Sequence, residues 1–171
     1  MQTSIIVAGG LDSENKYLAS CEKFNVQLNQ WSKIASLNKP RQYAAAAAHS
    51  DSVFVFGGFN NVDGYLDEIE QYDTAADKWT VLQARLSIAR ELIAAACLDD
   101  NVYLFGGLND KKLVEAGSTA ECFSVKDKNI KKTEPVHKPA WGSVATSLVW
   151  TKNKVIASIL VFNLNFTLQS S

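Results

Sequence analysis

Residues Glu68–Gly107 read EIEQYDTAADKWTVLQARLSIARELIAAACLDDNVYLFGG, and the order of residue types along them decides the fold. An aromatic (Tyr72) is followed seven places on by a tryptophan (Trp79), then by an arginine (Arg90), a small apolar run and a hexapeptide ending in Gly106-Gly107. The same succession surrounds this stretch. Hexapeptides IIVAGG, VFVFGG and VYLFGG put their glycine pairs at Gly9-Gly10, Gly57-Gly58 and Gly106-Gly107, spaced by 48 and 49 residues. Phe24 and Tyr72 stand fifteen residues after the first glycine of their copies, and Trp31 and Trp79 follow seven later. Arg41 and Arg90 each precede the next glycine pair by sixteen residues. A fixed period of this length with strand-like content marks a repeat architecture.

Within the second copy, Tyr43–Ala48 is small and apolar, suited to a strand packed close to an axis. A helix over Ala44–Ala48 has alanine propensity in its favour, but the run is too short to stand alone. His49–Ser52 is a polar turn, matched one period later by Leu98–Asn101. Val53–Phe56 is β-branched and aromatic, as a buried strand requires. After the glycines, Asn60-Asn61 and Asp63-Gly64 signal turns, Leu66–Asp73 is expected as a third strand, and Trp79–Leu82 as a fourth. Four short antiparallel strands per period describe a propeller blade. The third copy repeats the plan near Leu92–Cys97, Val102–Phe105 and Thr119–Val125, while the first begins at its second strand. Trp31 and Trp79 are expected to pack between neighbouring blades. Arg41 and Arg90, at the blade-to-blade crossings, have two readings: bonding loop carbonyls, or holding an acidic partner.

Glycine pair, aromatic (Phe24, Tyr72, Phe123), tryptophan and arginine before an alanine-rich strand together resemble the kelch repeat, in the form found in kelch-like (BTB–kelch) proteins. The resemblance runs from Ser4 to about Val125. It implies an all-β fold of kelch-type propeller blades, with repeats at about 4–37, 41–84 and 90–134 and a divergent partial repeat at 140–171. Copy three departs in having Ile130 for tryptophan and a longer loop before Phe123, and no glycine pair follows Pro139. Propellers usually close with four to eight blades, so three plus a partial one is expected to be incomplete or open. Open blade edges favour self-association. The resemblance further implies a protein-binding module, such as a ubiquitin-ligase substrate adaptor or an actin binder.

Bulk properties narrow the functional classes. The chain has 171 residues, 47% of them hydrophobic and 20% charged, with a net charge of −1. Nothing in this balance suggests a nucleic-acid or anionic-membrane surface. Val155–Phe162 is far short of the roughly 20 apolar residues of a membrane span, and Met1–Gly10 lacks a signal peptide's basic start. Three cysteines without motif spacing read as reduced thiols of a cytoplasmic protein. His49 and His137 lie in no metal-ligand spacing; His49 is expected solvated in its turn, Cys97 buried, and Cys21 and Cys122 without a histidine partner. Asp63, Asp67 and Glu68 read as solvated loop charge. No enzyme, metal or cofactor is expected. The alternatives are a relic of a propeller oxidase or hydrolase, or a non-functional fragment of a larger protein.

The expected function is presentation of loops to a protein partner. The loops Leu11–Lys16, Phe59–Tyr65 and Leu108–Ala116 and the crossings Ser36–Gln42 and Gln83–Glu91 should share one face. The candidate partner-binding residues are Arg41, Arg90, Asn60, Asn61, Asp63, Tyr65, Asn109 and Asp110.

Overall fold

The computed structural model describes residues 4–137, and the strands expected at 140–171 lie outside them. The first sheet comprises β1 (Ser4–Leu11), β2 (Tyr17–Asn25) and β3 (Gln30–Ile34). The second comprises β4 (Ala45–His49), β5 (Ser52–Phe56), β8 (Glu68–Asp73) and β9 (Lys78–Arg85), with a hairpin of β6 (Phe59–Asn60) and β7 (Gly64–Tyr65) between β5 and β8. In the third, β10 (Ala94–Leu98), β11 (Asn101–Phe105), β12 (Ala120–Ser124) and β13 (Asn129–Lys132) pair in chain order, and α1 (Leu113–Ser118) interrupts the β11–β12 connection. All pairings are antiparallel and in equivalent register. Ala45 faces Phe56 as Ala94 faces Phe105, and Phe24–Trp31, Tyr72–Trp79 and Phe123–Ile130 oppose each other in their sheets.

The alanine-rich runs are strands, but each begins two residues later than the composition suggests. Tyr43 and Leu92, taken as first strand residues, have φ of 54° and 55°. That is the left-handed region, which bulky residues seldom enter, and Leu92 N–H donates to Tyr43 O at 2.9 Å. The chain turns there before extending. In the third copy the long post-glycine loop contains α1, which the sequence reading did not anticipate. Thr119 Oγ1 donates to Glu115 O at 2.7 Å, Ser118 Oγ donates to Val114 O at 2.8 Å, and Ala116 is buried beneath.

Side-chain alternation along each strand builds two cores between three sheets. Phe54, Phe56 and Ile69 pack with Val102, Leu104 and Phe123 between the second and third. The Phe123 ring lies 5.3 Å from Phe54 and 5.5 Å from Phe56. Between the first and second sheets, Val55, Tyr72 and Trp79 meet Cys21 and Leu37. Gly57 stands where the chain leaves the inner strands. Its φ is +60° and an added Cβ would lie 2.4 Å from Arg90 O, so no side chain fits.

The expectation that both tryptophans pack between blades needs correcting. Trp79 is 4% exposed and its Nε1–H donates to Ala35 O at 2.9 Å, in the segment leading into its own sheet. Trp31 is 55% exposed, because no such segment reaches the first sheet among the described residues. Phe123→Ala should cost about 3–5 kcal/mol in urea denaturation, as truncation of a buried aromatic does. A loss under about 1 kcal/mol would contradict a core shared by two sheets.

Candidate protein-binding face

Arg41 lies between β3 and β4. Its N–H donates to Leu18 O (3.1 Å) and its carbonyl accepts from Gly10 N–H (2.8 Å), both in the first sheet. Its guanidinium enters the second, where Nη1 donates to Gly57 O at 2.9 Å and Nη2 pairs with Glu70 Oε1 at 2.6 Å. Arg90 repeats this one period on. Its backbone bonds Leu66 O (3.1 Å) and Gly58 N–H (3.0 Å) in the second sheet, Nε donates to Gly106 O at 2.8 Å, and Nη2 pairs with Glu121 Oε2 at 2.7 Å in the third. Both carboxylates also hold the segment that delivers the arginine: Glu70 Oε2 accepts from Asn38 N–H and Nδ2–H, each at 2.8 Å, and Glu121 Oε1 from Ser87 N–H at 2.8 Å. Burial lowers both guanidinium pKa values, opposed chiefly by the paired glutamates. Fully buried, Arg41 and Arg90 have no surface for an acidic partner, which corrects that expectation.

The asparagines are also partly internal. Asn60 and Asn109 are buried and donate to Pro40 O (3.0 Å) and Ala89 O (2.7 Å), the carbonyls just before each arginine. Asn60 Oδ1 accepts from the Val62 and Asp63 N–H groups, and Asn109 Oδ1 accepts from Lys111 N–H. They shape the loops from within. Asn61 and Asp110 are exposed, with Asp63 and Tyr65 intermediate to exposed at their sides.

Two carboxylates read as solvated are engaged. Glu68 pairs with Lys39 at 3.0 Å and lies 3.8 Å from Arg41 Nη2, while Asp63 takes Lys39 at 3.1 Å. The Asn60 amide and then Lys39 hold the Asp63 carboxyl below its usual range. Asp67 remains more open, 3.8 Å from Arg85. His49 ends β4, and its Nε2 lies 3.0 Å from Asp100 Oδ1, so it is not a free solvated turn residue. All three cysteines are buried free thiols, and burial raises the Cys21 and Cys97 pKa values. Among the described residues no group of three His, Cys, Asp or Glu is placed to hold a metal ion, and no helix is long and apolar enough to cross a membrane.

The crossings and the post-glycine loops do meet at one end of the sheets. Gln42 and Phe59 exchange backbone hydrogen bonds at 3.0 Å each, and Glu91 and Leu108 do so at 3.0 and 2.8 Å. Along this end runs an aromatic row. Tyr17 and Phe59 centroids are 6.1 Å apart, Phe59 and Tyr65 5.2 Å, and the Tyr65 hydroxyl accepts from Asp110 N–H at 3.3 Å. Val62, Leu113 and Val114 stand exposed on the flanking loops. The sequence reading named Tyr65 and Asp110 here, included Phe59, Val62, Leu113 and Val114 only as part of the loops Phe59–Tyr65 and Leu108–Ala116, and missed Tyr17. The available signal was an apolar residue inside an otherwise polar loop.

Glu91 occupies in the third repeat the place of Gln42 in the second. It is 9% exposed and its Oε2 has no hydrogen-bond partner. Burial, with Asp110 adding to it, pushes its pKa from 4.5 to about 7.

Residues 1–159 match the family model described as the KLHDC2/KLHL20/DRC7 Kelch-repeats domain. The chain belongs to the kelch-repeat family. Among curated relatives, Kelch-like protein 41a of Danio rerio is 34% identical over 73 residues, 43% of this chain and 12% of the relative. Beta-scruin of Limulus polyphemus is 32% identical over 85 residues, 46% of this chain and 9% of the relative. The kelch match therefore spans about a tenth of the length of these proteins. The solved structure of YjhT shares the fold with a TM-score of 0.65 at 17% identity, covering 78% of this chain and 49% of that one. In kelch terms the Arg41 and Arg90 pairs are the seams between successive blades.

Cutting one seam leaves a buried carboxylate uncompensated, so Arg90→Met should cost about 3–5 kcal/mol in urea denaturation. Adding Glu121→Leu should recover much of that loss, and a single-variant cost below about 1 kcal/mol would contradict the seam. Glu91 has the opposite signature. Its folded pKa lies above the unfolded value, so the unfolded chain releases the proton first and stability falls as pH rises from 4.5 to about 7. Glu91→Gln should stabilise the protein by on the order of 2 kcal/mol at pH 8 and leave it near wild type at pH 4. A difference that does not change with pH would refute the buried-carboxyl reading.

Proposed function

We propose that this kelch chain is a non-enzymatic protein-interaction module whose partner docks on the loop end of the sheets. The observation that carries this reading is the aromatic row Tyr17–Phe59–Tyr65, in post-glycine segments that also expose Val62, Leu113 and Val114. Aromatic and apolar side chains clustered on loops, with Asn61, Asp63 and Asp110 around them, have the make-up of an interface centre and its polar rim. Rigid sheets beneath hold the loops in place, which lowers the ordering cost of binding. Two partner classes follow from the kelch-like resemblance: substrates of a ubiquitin ligase, met in the cytoplasm, or actin filaments.

Co-sedimentation with filamentous actin and affinity capture from cytoplasm, each run on wild type and on a Val62→Asp/Tyr65→Ala variant, test the reading. The expected result is a specific partner whose recovery falls at least about tenfold with the variant, as loss of central contacts implies. Equal recovery by both proteins would move the binding site off this face.

A further inference from the structure

In the third repeat two carboxylates stand where the second has two amides. Glu91 takes the place of Gln42, the residue after the seam arginine, and Asp110 takes the place of Asn61, four residues after the first glycine. The backbone is equivalent at both: Gln42 exchanges hydrogen bonds with Phe59, and Glu91 with Leu108. The fold therefore accepts amides here, and carboxylates add a repulsion that amides do not. Glu91 is 9% exposed, its Oε2 has no hydrogen-bond partner, and Asp110 acts on it with charge of the same sign. Asp110 is exposed and its N–H donates to the Tyr65 hydroxyl at 3.3 Å, a hydroxyl that the Glu91 carboxyl also influences. The crossing, β7 and the loop between β11 and α1 thus bring three oxygen-bearing groups to one place between the second and third sheets.

Among the described residues no lysine or arginine forms an ion pair with either carboxylate. Arg90, next to Glu91 in the chain, turns its guanidinium to Gly106 O and Glu121. Lys112 lies toward Glu115, Lys39 takes Asp63 and Glu68, Arg85 faces Asp67, and Lys111 stands exposed beside Asp110. Burial and then Asp110 push the Glu91 pKa up to about 7, with no cation opposing them. A buried carboxyl held where an amide would stabilise the fold at neutral pH is a mark of binding rather than of folding.

We propose that this place is the specificity site of the loop end and takes an arginine side chain of the partner, its guanidinium held by the Asp110 and Glu91 carboxylates against the Tyr65 ring. The inference rests on the docking face proposed above and names the chemistry of its occupant. A guanidinium suits the site better than an ammonium, because its planar fork reaches carboxylate oxygens two at a time and stacks on an aromatic ring. Apolar residues flanking the arginine meet Leu113 and Val114, exposed three and four positions beyond Asp110. Asp110 meets the guanidinium at the surface, and Glu91 adds charge from beneath once its proton passes to water. The two events are linked: the factor by which ionised Glu91 strengthens binding returns, on binding, as an equal shift of its proton affinity.

The test titrates acetyl-Leu-Arg-Leu-amide, and the same peptide with citrulline for arginine, into the full 171-residue chain. NMR follows the Asp110 and Lys111 amides and the Glu91 carboxyl. At pH 8 the arginine peptide should bind saturably and at least about tenfold tighter than the citrulline peptide. At pH 5, where Glu91 holds its proton, arginine binding should weaken about tenfold, and saturation should lower the Glu91 pKa by about one unit. Glu91→Gln should show the pH 5 affinity at both pH values, and Asp110→Asn should weaken the arginine peptide at least about tenfold at both, circular dichroism confirming each fold. Equal affinity for the two peptides, arginine binding that does not change with pH, or no saturable binding overturns the proposal. With such a result, capture still lost in Val62→Asp/Tyr65→Ala would keep the docking face and strike only its cation, whereas equal capture would strike both.

Discussion

An arginine anchored by its backbone in one sheet and by its guanidinium in the next is the constraint on which the rest of the structure depends. A buried guanidinium is tolerable only beside a carboxylate in good geometry. Glu70 meets that need with a 2.6 Å hydrogen bond to Arg41, Glu121 lies 2.7 Å from Arg90 Nη2 as an ion pair, and both, with their second oxygens, fix the amides of the segment that brings the arginine. The crossing segment is thereby held at both ends. Its carbonyls press on the glycine pairs, which explains why Gly57 and Gly58 admit no side chain. The inner strand then starts from a fixed point, and the phenylalanine and tryptophan cores close around it.

Much of this was legible because it depends on spacing. The 48- and 49-residue period, the glycine pairs and the strand character of the alanine runs all follow from residue order. The partner of the arginines was overlooked although its signal is equally periodic: Glu22, Glu70 and Glu121 each precede the repeat aromatic by two residues. Other features had no local signal. The left-handed turns at Tyr43 and Leu92 look like ordinary strand residues, and α1 rests on side-chain bonds to its own carbonyls. Asn60 and Asn109 carry turn chemistry in sequence, and only the fold shows them bonding the crossing from inside the loop. Whether a tryptophan is buried depends on what covers it, so Trp31 and Trp79 look alike until their neighbours are placed.

The same scaffold separates two kinds of surface. Seam residues are taken up by internal contacts, whereas the loops that spring from the seams carry exposed aromatic and aliphatic side chains on hydrogen-bonded bases, the surface proposed above for recognition. Among the described residues the first sheet carries the same carboxylate, glycine pair and tryptophan, at Glu22, Gly9-Gly10 and Trp31, without an arginine paired to Glu22.

Native-state hydrogen exchange against urea tests the seam most directly, because it reports which segments open together. If the arginine pairs weld the sheets, slow amides of β5 and β11 should merge into one opening in the wild-type protein and separate into two in Arg90→Met. Independent opening of the two sheets in wild type, or a single shared opening in the variant, would contradict the account.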